Sequence, residues 1–575
     1  MSNTCDHFIS KIEKWSRFQP HSPAIHHVIA EKDGIRTWAT YTWAQYFEEV
    51  SLVANGLIAL GFQPSDCASI IGRNRPEWLF AQMGIMAAGG ISTSIYTTNS
   101  ANEAAFIISH SDSKFVFAED GIQYEKILKE KVKLPALQKI ILMDAANGAD
   151  PTWTMTLQEL KSLGARQNSA EMKKRIQKIT PEDIAFYIYT SGTTGDPKAV
   201  MTNNRGLIYM GNAVLERFPA RNVRLLSYLP LSHIAEQTVT NIVHLQTGGE
   251  VSMCREVESL KDYLTDVRPS ILLGVPRVWE KIEAALTAKF SELQPVQATL
   301  LKLARLVEFK CFTLGAKLGR SFNPLVRQLM NKVILSKIRK KLGVENLQYA
   351  MTGAAPIAKS TQDFFASLGV PLMEVYGLSE SLGVAIASDP QKPLTGSVGF
   401  PLNGVEARIA EDGEILLRSP ATTPGYYKDQ AATDELLEGG WLHTGDIGTC
   451  SADGSYRITD RKKEIIITAG GKNIATTKIE NYLRAIPGIS QAVLIGDKRP
   501  YLVALLTLNR TTAEEPIAEQ IVEMNKLLPK DETVKKFKIL PAQFTVQTGE
   551  LTPTQKIKRR VIQEKYSRQI NELYY

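Results

Sequence analysis

The chain has 575 residues, more than one hydrophobic core accommodates, so two or more domains are expected. Apolar residues make up 44% and charged residues 22%, ordinary for a soluble globular protein. The net charge of +7 is mild at this length and does not by itself call for a nucleic-acid partner. Cys5, Cys67, Cys254, Cys311 and Cys450 are scattered, odd in number and without C-x-x-C spacing. That excludes a disulfide framework or zinc site and fits a reducing, cytoplasmic setting. The eight histidines show no H-E-x-x-H arrangement. Residues 1–17 carry no signal-peptide core. Trp78–Ile91 is the most apolar stretch. It is too short for a membrane span and is broken by Gln82 and a Gly-Gly pair, so it reads as a core helix with its exit turn.

In chain order, residues 40–61 read as a helix capped by Thr42, with Ala44, Phe47, Val50, Val53, Leu57 and Leu60 at helical spacing. Apolar runs at 68–71, 115–118 and 139–143 read as strands alternating with helices, the grammar of a parallel α/β sheet. The stretch 145–183 is polar and weakly patterned and is expected to be a surface connector. Strands resume at 184–188, 225–229, 271–275, 347–351 and, more weakly, 371–374. From about 396 glycines and prolines become dense and strands short, which suggests an antiparallel or barrel-like section. A compact α+β tail follows 460, so the expected domains are 1–460 and 461–575. Residues 299–341 carry eleven Lys/Arg against Glu308 alone, interleaved with leucines and phenylalanines. Such a basic amphipathic segment suits an anionic membrane surface; the alternative is a solvated helical face over the core.

Chemistry gathers after strands. Thr190-Ser191-Gly192-Thr193-Thr194-Gly195-Asp196-Pro197-Lys198 combines hydroxyls, glycines and a mobile cation, a nest for anionic oxygens. It is not the G-x-x-x-x-G-K-[ST] loop, because Pro197 separates the last glycine from the lysine and Ala199 follows it. Leu229-Pro230-Leu231-Ser232-His233 delivers a histidine at a strand end, where α/β sheets bind ligands. Thr352-Gly353-Ala354-Ala355-Pro356 offers small residues against which a flat ring can lie. Glu374 to Glu380 offers Tyr376 for stacking, Gly377, and the Glu380 carboxylate for a hard cation such as Mg²⁺. Asp446 follows Gly445 and can accept two sugar hydroxyls. Arg461, in Asp460-Arg461-Lys462-Lys463-Glu464, suits sugar and phosphate oxygens. Lys556 follows a Thr-Pro-Thr turn as a candidate point charge for a phosphoryl centre.

Together, in this order, these stretches resemble the adenylate-forming superfamily of acyl-CoA synthetases, adenylation domains and luciferases. The resemblance runs over nearly the whole chain, most specifically in 187–201, 374–381, 441–446, 460–474 and 549–560. Val275 to Lys281 and Leu551 to Lys558 resemble long-chain fatty acyl-CoA synthetases, and Ile467-Thr468-Ala469-Gly470-Gly471 is similar to their bubblegum-type branch.

The resemblance implies a large N-terminal domain of parallel α/β sheets with a barrel-like section, a small mobile C-terminal domain, and ligation of a long-chain fatty acid to CoA through an acyl-adenylate. It implies ATP, Mg²⁺ and CoA. Thr190 to Gly195 and Lys198 would embrace phosphates, with Thr190 and Glu380 on Mg²⁺. Gly353, Ala354, Ala355, Tyr376 and Gly377 would enclose adenine. Asp446 and Arg461 would hold the ribose, and Lys556 and His233 would stand at the reacting centre. Trp279 would gate the acyl tunnel and Lys463 would be the hinge. Ala199, where glycine is usual, and Thr476, where proline is frequent, depart from the pattern. The alternatives are an enzyme adenylating aryl or medium-chain acids or loading a carrier protein, and a non-catalytic lipid- or nucleotide-binding descendant.

Overall fold

The computed structural model describes residues 6–190, 196–318, 322, 324–469, 472–509, 515–552 and 556–575. A seven-stranded sheet comes first. Its order is Thr154–Thr156, Lys139–Leu142, Ser113–Ala118, Cys67–Ile71, Ile91–Ile95, Ile184–Thr190 and Lys198–Asn203. All neighbours are parallel except the last pair. Ala68, Ile70, Val116, Phe117, Ile140 and Ile141 are wholly buried, so these strands are covered on both faces, which is why they read as continuous apolar runs.

The expected helix spans Trp43–Ala59, and Thr42 caps it. The Thr42 hydroxyl accepts from the Gln45 N–H at 3.3 Å while the Gln45 side chain accepts from the Thr42 N–H at 2.9 Å. The apolar stretch after Arg75 is the helix Pro76–Ala87, buried at every residue from Trp78 onward. No described helix is long and apolar enough to cross a membrane.

The stretch 145–183 is no mere connector. It contains the edge strand Thr154–Thr156 and the helices Leu157–Ala165 and Ala170–Lys178. Leu157, Leu160 and Gly164 face the helix Trp43–Ala59 across a glycine contact. A Cβ at Gly164 would lie 2.0 Å from the Leu52 carbonyl oxygen, and one at Gly56 would lie 2.4 Å from that of Leu160. Arg175, though charged, is 9% exposed because its guanidinium donates to the carbonyls of Phe62 (2.8 Å) and Ala88 (3.0 Å). Polar residues doing interior work concealed this layer from the composition.

A four-stranded sheet joins Arg224–Ser227 and Glu250–Met253 to the hairpin Pro23–Lys32 and Ile35–Thr42. A third sheet aligns Ile271–Gly274, Tyr349–Thr352 and Leu372–Leu378 in parallel, then adds Gly383–Ala387 and Phe400–Pro401 antiparallel. The expected weak strand at 371–374 thus extends through Tyr376 and Gly377. The Gly/Pro-dense section is an antiparallel sheet of Glu406–Ile409, Glu414–Arg418, Leu442–Cys450 and Tyr456–Arg461. Beyond it, Ile489–Ile495, Leu502–Leu508 and Val534–Leu540 form a sheet. Its core of Leu494, Ala504, Leu506, Ile479 and Leu483 is closed by Ile517 and Ile521.

The basic segment is helical. The helix Pro295–Leu318 lays Leu301, Ala304, Glu308, Cys311 and Gly315 inward, against the helix Lys359–Ser367. One face therefore covers the core, while Leu300, Leu303, Leu306, Leu314 and Leu318 are exposed.

Candidate active site

Thr190 and Lys198 stand opposite each other at the loop end of a hairpin. Ser191, Gly192, Thr193, Thr194 and Gly195, which join them, lie outside the described residues. Ala199 is a fully buried strand residue whose carbonyl accepts from the Tyr427 N–H at 2.9 Å and whose methyl group sits in an apolar cluster. The Lys198 ammonium lies 4.9 Å from the centre of the Tyr426 ring and 3.7 Å from Asp429. The Tyr426 hydroxyl donates to Glu380 at 2.8 Å, tying the loop lysine to the candidate metal carboxylate. Among the described residues no three metal-ligating side chains cluster. A single carboxylate such as Glu380 fits Mg²⁺, which is held mainly by substrate phosphate oxygens and water.

The parallel strands Tyr349–Thr352 and Leu372–Leu378 bring the next group together. A Cβ on Gly353 would sit 2.6 Å from the Val375 carbonyl oxygen, and one on Gly377 1.8 Å from that of Gly383. Only glycine lets these backbones approach. Ala354 holds a left-handed φ of +67°, a conformation that costs an L-residue roughly 1 kcal/mol or more and concentrates at functional sites. Ala355 beside it is exposed. The Thr352 hydroxyl is buried without a partner among the described residues.

Tyr376 donates its hydroxyl to one oxygen of Asp446 at 2.8 Å, and the Arg461 Nε lies 3.0 Å from the other. Asp446 and Arg461 face each other on adjacent antiparallel strands. Gly445 turns the chain at φ +68° and donates its N–H to Glu414 at 2.7 Å. Burial next to the Asp446 carboxylate raises the Tyr376 phenol well above its usual range, so it stays a donor.

Lys556 completes the group. Burial, then the positive Arg461, pushes its ammonium down to about 8, while Asp446, Glu380 and Glu464 pull the other way. No carboxylate pairs with it among the described residues. Its position is fixed by its own N–H donating to the Thr552 hydroxyl at 2.9 Å.

His233 is reached by the Lys556 charge. Burial and that charge hold the imidazole near 3, so it is neutral. Its Nδ1 accepts from the Ala235 N–H at 3.1 Å, which leaves the proton on Nε2 as a donor. Behind it, Glu236 accepts from the Leu229 N–H at 2.9 Å and from the Thr240 hydroxyl. Burial lifts this carboxyl to about 7.

Trp279 is placed elsewhere. Its indole N–H donates to the carbonyls of Gly274 (3.1 Å) and Met351 (3.2 Å), and its ring packs edge-on against Phe365. It shares a cluster with Leu272, Ala350 and Leu372. An apolar cavity of about 30 Å³ lies on the other face of the same sheet, lined by Ile271, Leu273, Met351, Val375, Phe218 and the π-helical run Thr238–Val243. Strand alternation separates the two. The indole expected to gate an acyl tunnel does not line this cavity.

Lys463 lies in the 3₁₀ turn Lys462–Glu464 after the strand Tyr456–Arg461, and its side chain is outside the described residues. Lys462 is pinned to Asp412 (2.6 Å) and Glu414 (3.1 Å). Asp460 reaches over to the helix Thr476–Arg484, accepting from the Thr476 N–H and the Thr477 hydroxyl. Proline at 476 would have no N–H to give, which explains the departure there.

Compared with protein families, residues 12–427 match the AMP-binding enzyme family and residues 463–575 match the AMP-binding enzyme C-terminal domain. The chain belongs to the AMP-binding enzymes. It is 31% identical to the long-chain-fatty-acid--CoA ligase FadD15 of Mycobacterium tuberculosis, over 94% of this chain and 93% of that one. It is 33% identical to the long-chain-fatty-acid--CoA ligase ACSBG2 of Xenopus laevis, over 95% and 81% respectively. Among solved structures, an anthranilate CoA ligase in complex with anthranoyl-AMP has the same fold, with a TM-score of 0.77, 17% identity and 99% of both chains covered. The Bacillus subtilis o-succinylbenzoate CoA synthetase in complex with ATP and magnesium ion gives 0.70, 20%, and 96% of this chain against 98% of that one.

Sequence reasoning on this AMP-binding enzyme missed Tyr426, Glu236 and Asp460. The signal for Tyr426 was the Pro424-Gly425-Tyr426-Tyr427 run. That for Glu236 was a lone carboxylate three residues beyond the histidine in an apolar segment.

Proposed function

We propose that this protein activates a long-chain fatty acid with ATP and passes the acyl group to CoA. The carboxylate oxygen attacks the α-phosphorus, the bond to pyrophosphate breaks, and acyl-AMP results. The CoA sulfur then attacks the acyl carbon, loses its proton and releases AMP. The observation that carries the reading is the Lys556 ammonium, ion-paired with no carboxylate among the described residues, beside the Tyr376–Asp446–Arg461 group and the neutral His233. Anion attacking anion needs charge neutralisation and positioning more than a protein nucleophile. In this reading Lys556 meets the α-phosphate and carboxylate, and the Nε2–H of His233 donates to the carboxylate. Thr190 to Gly195 and Lys198 hold the outer phosphates. Gly353, Ala354, Ala355, Gly377 and Tyr376 enclose the adenine, and Asp446 and Arg461 take the ribose. Thr190 and Glu380 would hold Mg²⁺, which supplies charge neutralisation on the phosphates.

The acyl chain is assigned to the apolar cavity beside Val375. At about 30 Å³ it holds roughly one water, so a long chain requires its wall to move. The π-helical run Thr238–Val243 is the wall suited to that, since such turns concentrate at functional sites. Residues 1–460 and 461–575 are the two units, and rotation at Lys463 would exchange Lys556 for the 465–474 segment between half-reactions. The small cavity also favours a second reading, a medium-chain or aryl acid on the same machinery.

The test is AMP and pyrophosphate release across acids from acetate to stearate plus benzoate, with and without CoA. Turnover that rises with chain length and is completed only with CoA supports the long-chain reading. Turnover on benzoate or octanoate alone moves the assignment to the second. No AMP with any acid removes both.

A further inference from the structure

More than half of the exposed large apolar side chains among the described residues fall between Val296 and Val333. They are not scattered. Val296, Leu300, Leu303, Leu314 and Leu318 recur at helical spacing along one side of the 24-residue helix Pro295–Leu318. Leu303 is 44% exposed and Leu300 46%. The helix Leu325–Met330 continues the patch with Leu325, which is 83% exposed, and Leu329 at 60%. A helix of this length runs roughly 36 Å. The stripe flanks the face that packs on the core, about a quarter-turn round the helix from it, and its side chains stay exposed. Exposed apolar patches of this extent mark interaction sites.

The charge around the stripe is of one sign. Lys302, Lys310, Lys317 and Lys332 are exposed, as are Lys337, Lys340 and Lys341 on the helix Ser336–Leu342. None pairs with a carboxylate among the described residues. The one acid of 299–341, Glu308, is 3% exposed and held by both arms of Arg327 at 2.7 and 2.9 Å. Its charge never reaches this surface.

We infer that this face is a docking surface for an anionic phospholipid bilayer, with the leucine stripe entering the headgroup–acyl boundary and the lysines resting on lipid phosphates and carboxylates. A leucine stripe alone would suit a second copy of the chain equally well. Lysines without acidic neighbours repel their own image across a two-fold axis and attract an anionic surface. Long lysine stems allow the ammonium to stay at headgroup level while the leucines sink.

The experiment is co-sedimentation of the full chain with vesicles, alongside light scattering without lipid. Vesicles with about 30% phosphatidylserine at about 0.1 M salt should carry the protein down, while pure phosphatidylcholine or about 0.5 M salt should weaken binding about tenfold. The variants are Leu303→Ser/Leu314→Ser and Lys310→Glu/Lys317→Glu. All four positions are exposed, so melting temperatures should match the parent. Each variant should lower partitioning about tenfold or more, the second only on anionic vesicles. Failure of the parent to sediment would overturn the inference, as would a leucine variant that sediments like the parent. So would a parent that is dimeric without lipid and is made monomeric by the leucine variant with its vesicle binding intact.

Discussion

Two regions of this molecule gather arginines and carboxylates at the ends of strands, and they do opposite things with them. Beyond the strand Cys67–Ile71, Arg73, Arg75 and Arg255 meet Glu119 and Asp144. Glu119 is fully buried and accepts from the Arg73 N–H at 2.8 Å, the Arg73 Nε at 3.1 Å and the Arg255 Nη2 at 2.7 Å. Arg75 forks onto Asp144 at 2.7 and 2.9 Å. Every charge there has its counterpart. At the candidate active site Asp446 and Arg461 are paired, but Lys556 beside them is ion-paired with no carboxylate among the described residues. What distinguishes them is a charge left uncompensated, which the fold holds at a cost and which only an anionic ligand relieves.

Lys556→Met should break the second region with the largest effect. Pyrophosphate release from acid and ATP should fall about 10²–10³-fold, the scale of losing one transition-state charge contact. Purified acyl-AMP should still be thioesterified. Stability should hold or rise, because a desolvated ammonium is gone and its stem remains. A variant that unfolds at a lower temperature would show Lys556 to be compensated after all. Glu119→Gln should do the reverse. It takes the buried partner from Arg73 and Arg255 and should cost about 3 kcal/mol in denaturant unfolding, the low end for a broken buried pair because both arginines are partly exposed. The adenylation rate of the folded fraction should stay within about twofold. Loss of chemistry there would erase the contrast.

The contrast also has a pH signature. Burial and Arg461 bring the Lys556 ammonium down to about 8 from 10.5, so above pH 8 it becomes the neutral amine and can no longer neutralise phosphate. Adenylation kcat/KM, which reads the free enzyme, should fall about tenfold per pH unit beyond that point. Stability should move the other way. The unfolded chain holds this proton more tightly, so unfolding should become harder between about pH 8 and 10.5. Lys556→Arg, a cation at every accessible pH, should remove the alkaline limb.

Much of this was legible because it is local. The Thr42 cap, the buried parallel strands, the Tyr376-Gly377 to Glu380 stretch and the Gly445-Asp446 pair each occupy a few consecutive residues. What escaped is what the fold joins. Tyr426 meets Glu380 across 46 positions and Arg255 meets Glu119 across 136, and no short pattern announces either. The helix Leu157–Ala165 escaped because its packing rests on glycines, which add nothing to an apolar count. Nothing in the sequence names the neighbours of Trp279, and the structure packs it against Phe365, away from the small cavity. The indole reads as apolar on both sides of a sheet until its neighbours are known.

Asp460 supplies an intermediate case and the smallest predicted effect. Its carboxylate is buried, and burial raises its pKa above the usual range, while donors from Arg461, Thr476 and Thr477 offset that. It is compensated chiefly by dipoles, with the Arg559 charge as a smaller contribution. Thr476→Pro removes one N–H donor while suiting the first turn of the helix, where proline is tolerated. The loss should therefore be limited to about 1 kcal/mol. It should appear as faster hydrogen exchange in the helix Thr476–Arg484, with the seven-stranded sheet unchanged. If compensation is graded, Asp460→Asn should restore part of that protection in the Thr476→Pro background, because a neutral amide needs fewer donors than a carboxylate. A double variant no better protected than the single one would mean that Asp460 acts only as a helix cap, and that the balance of charge separating the other two regions does not extend to this corner.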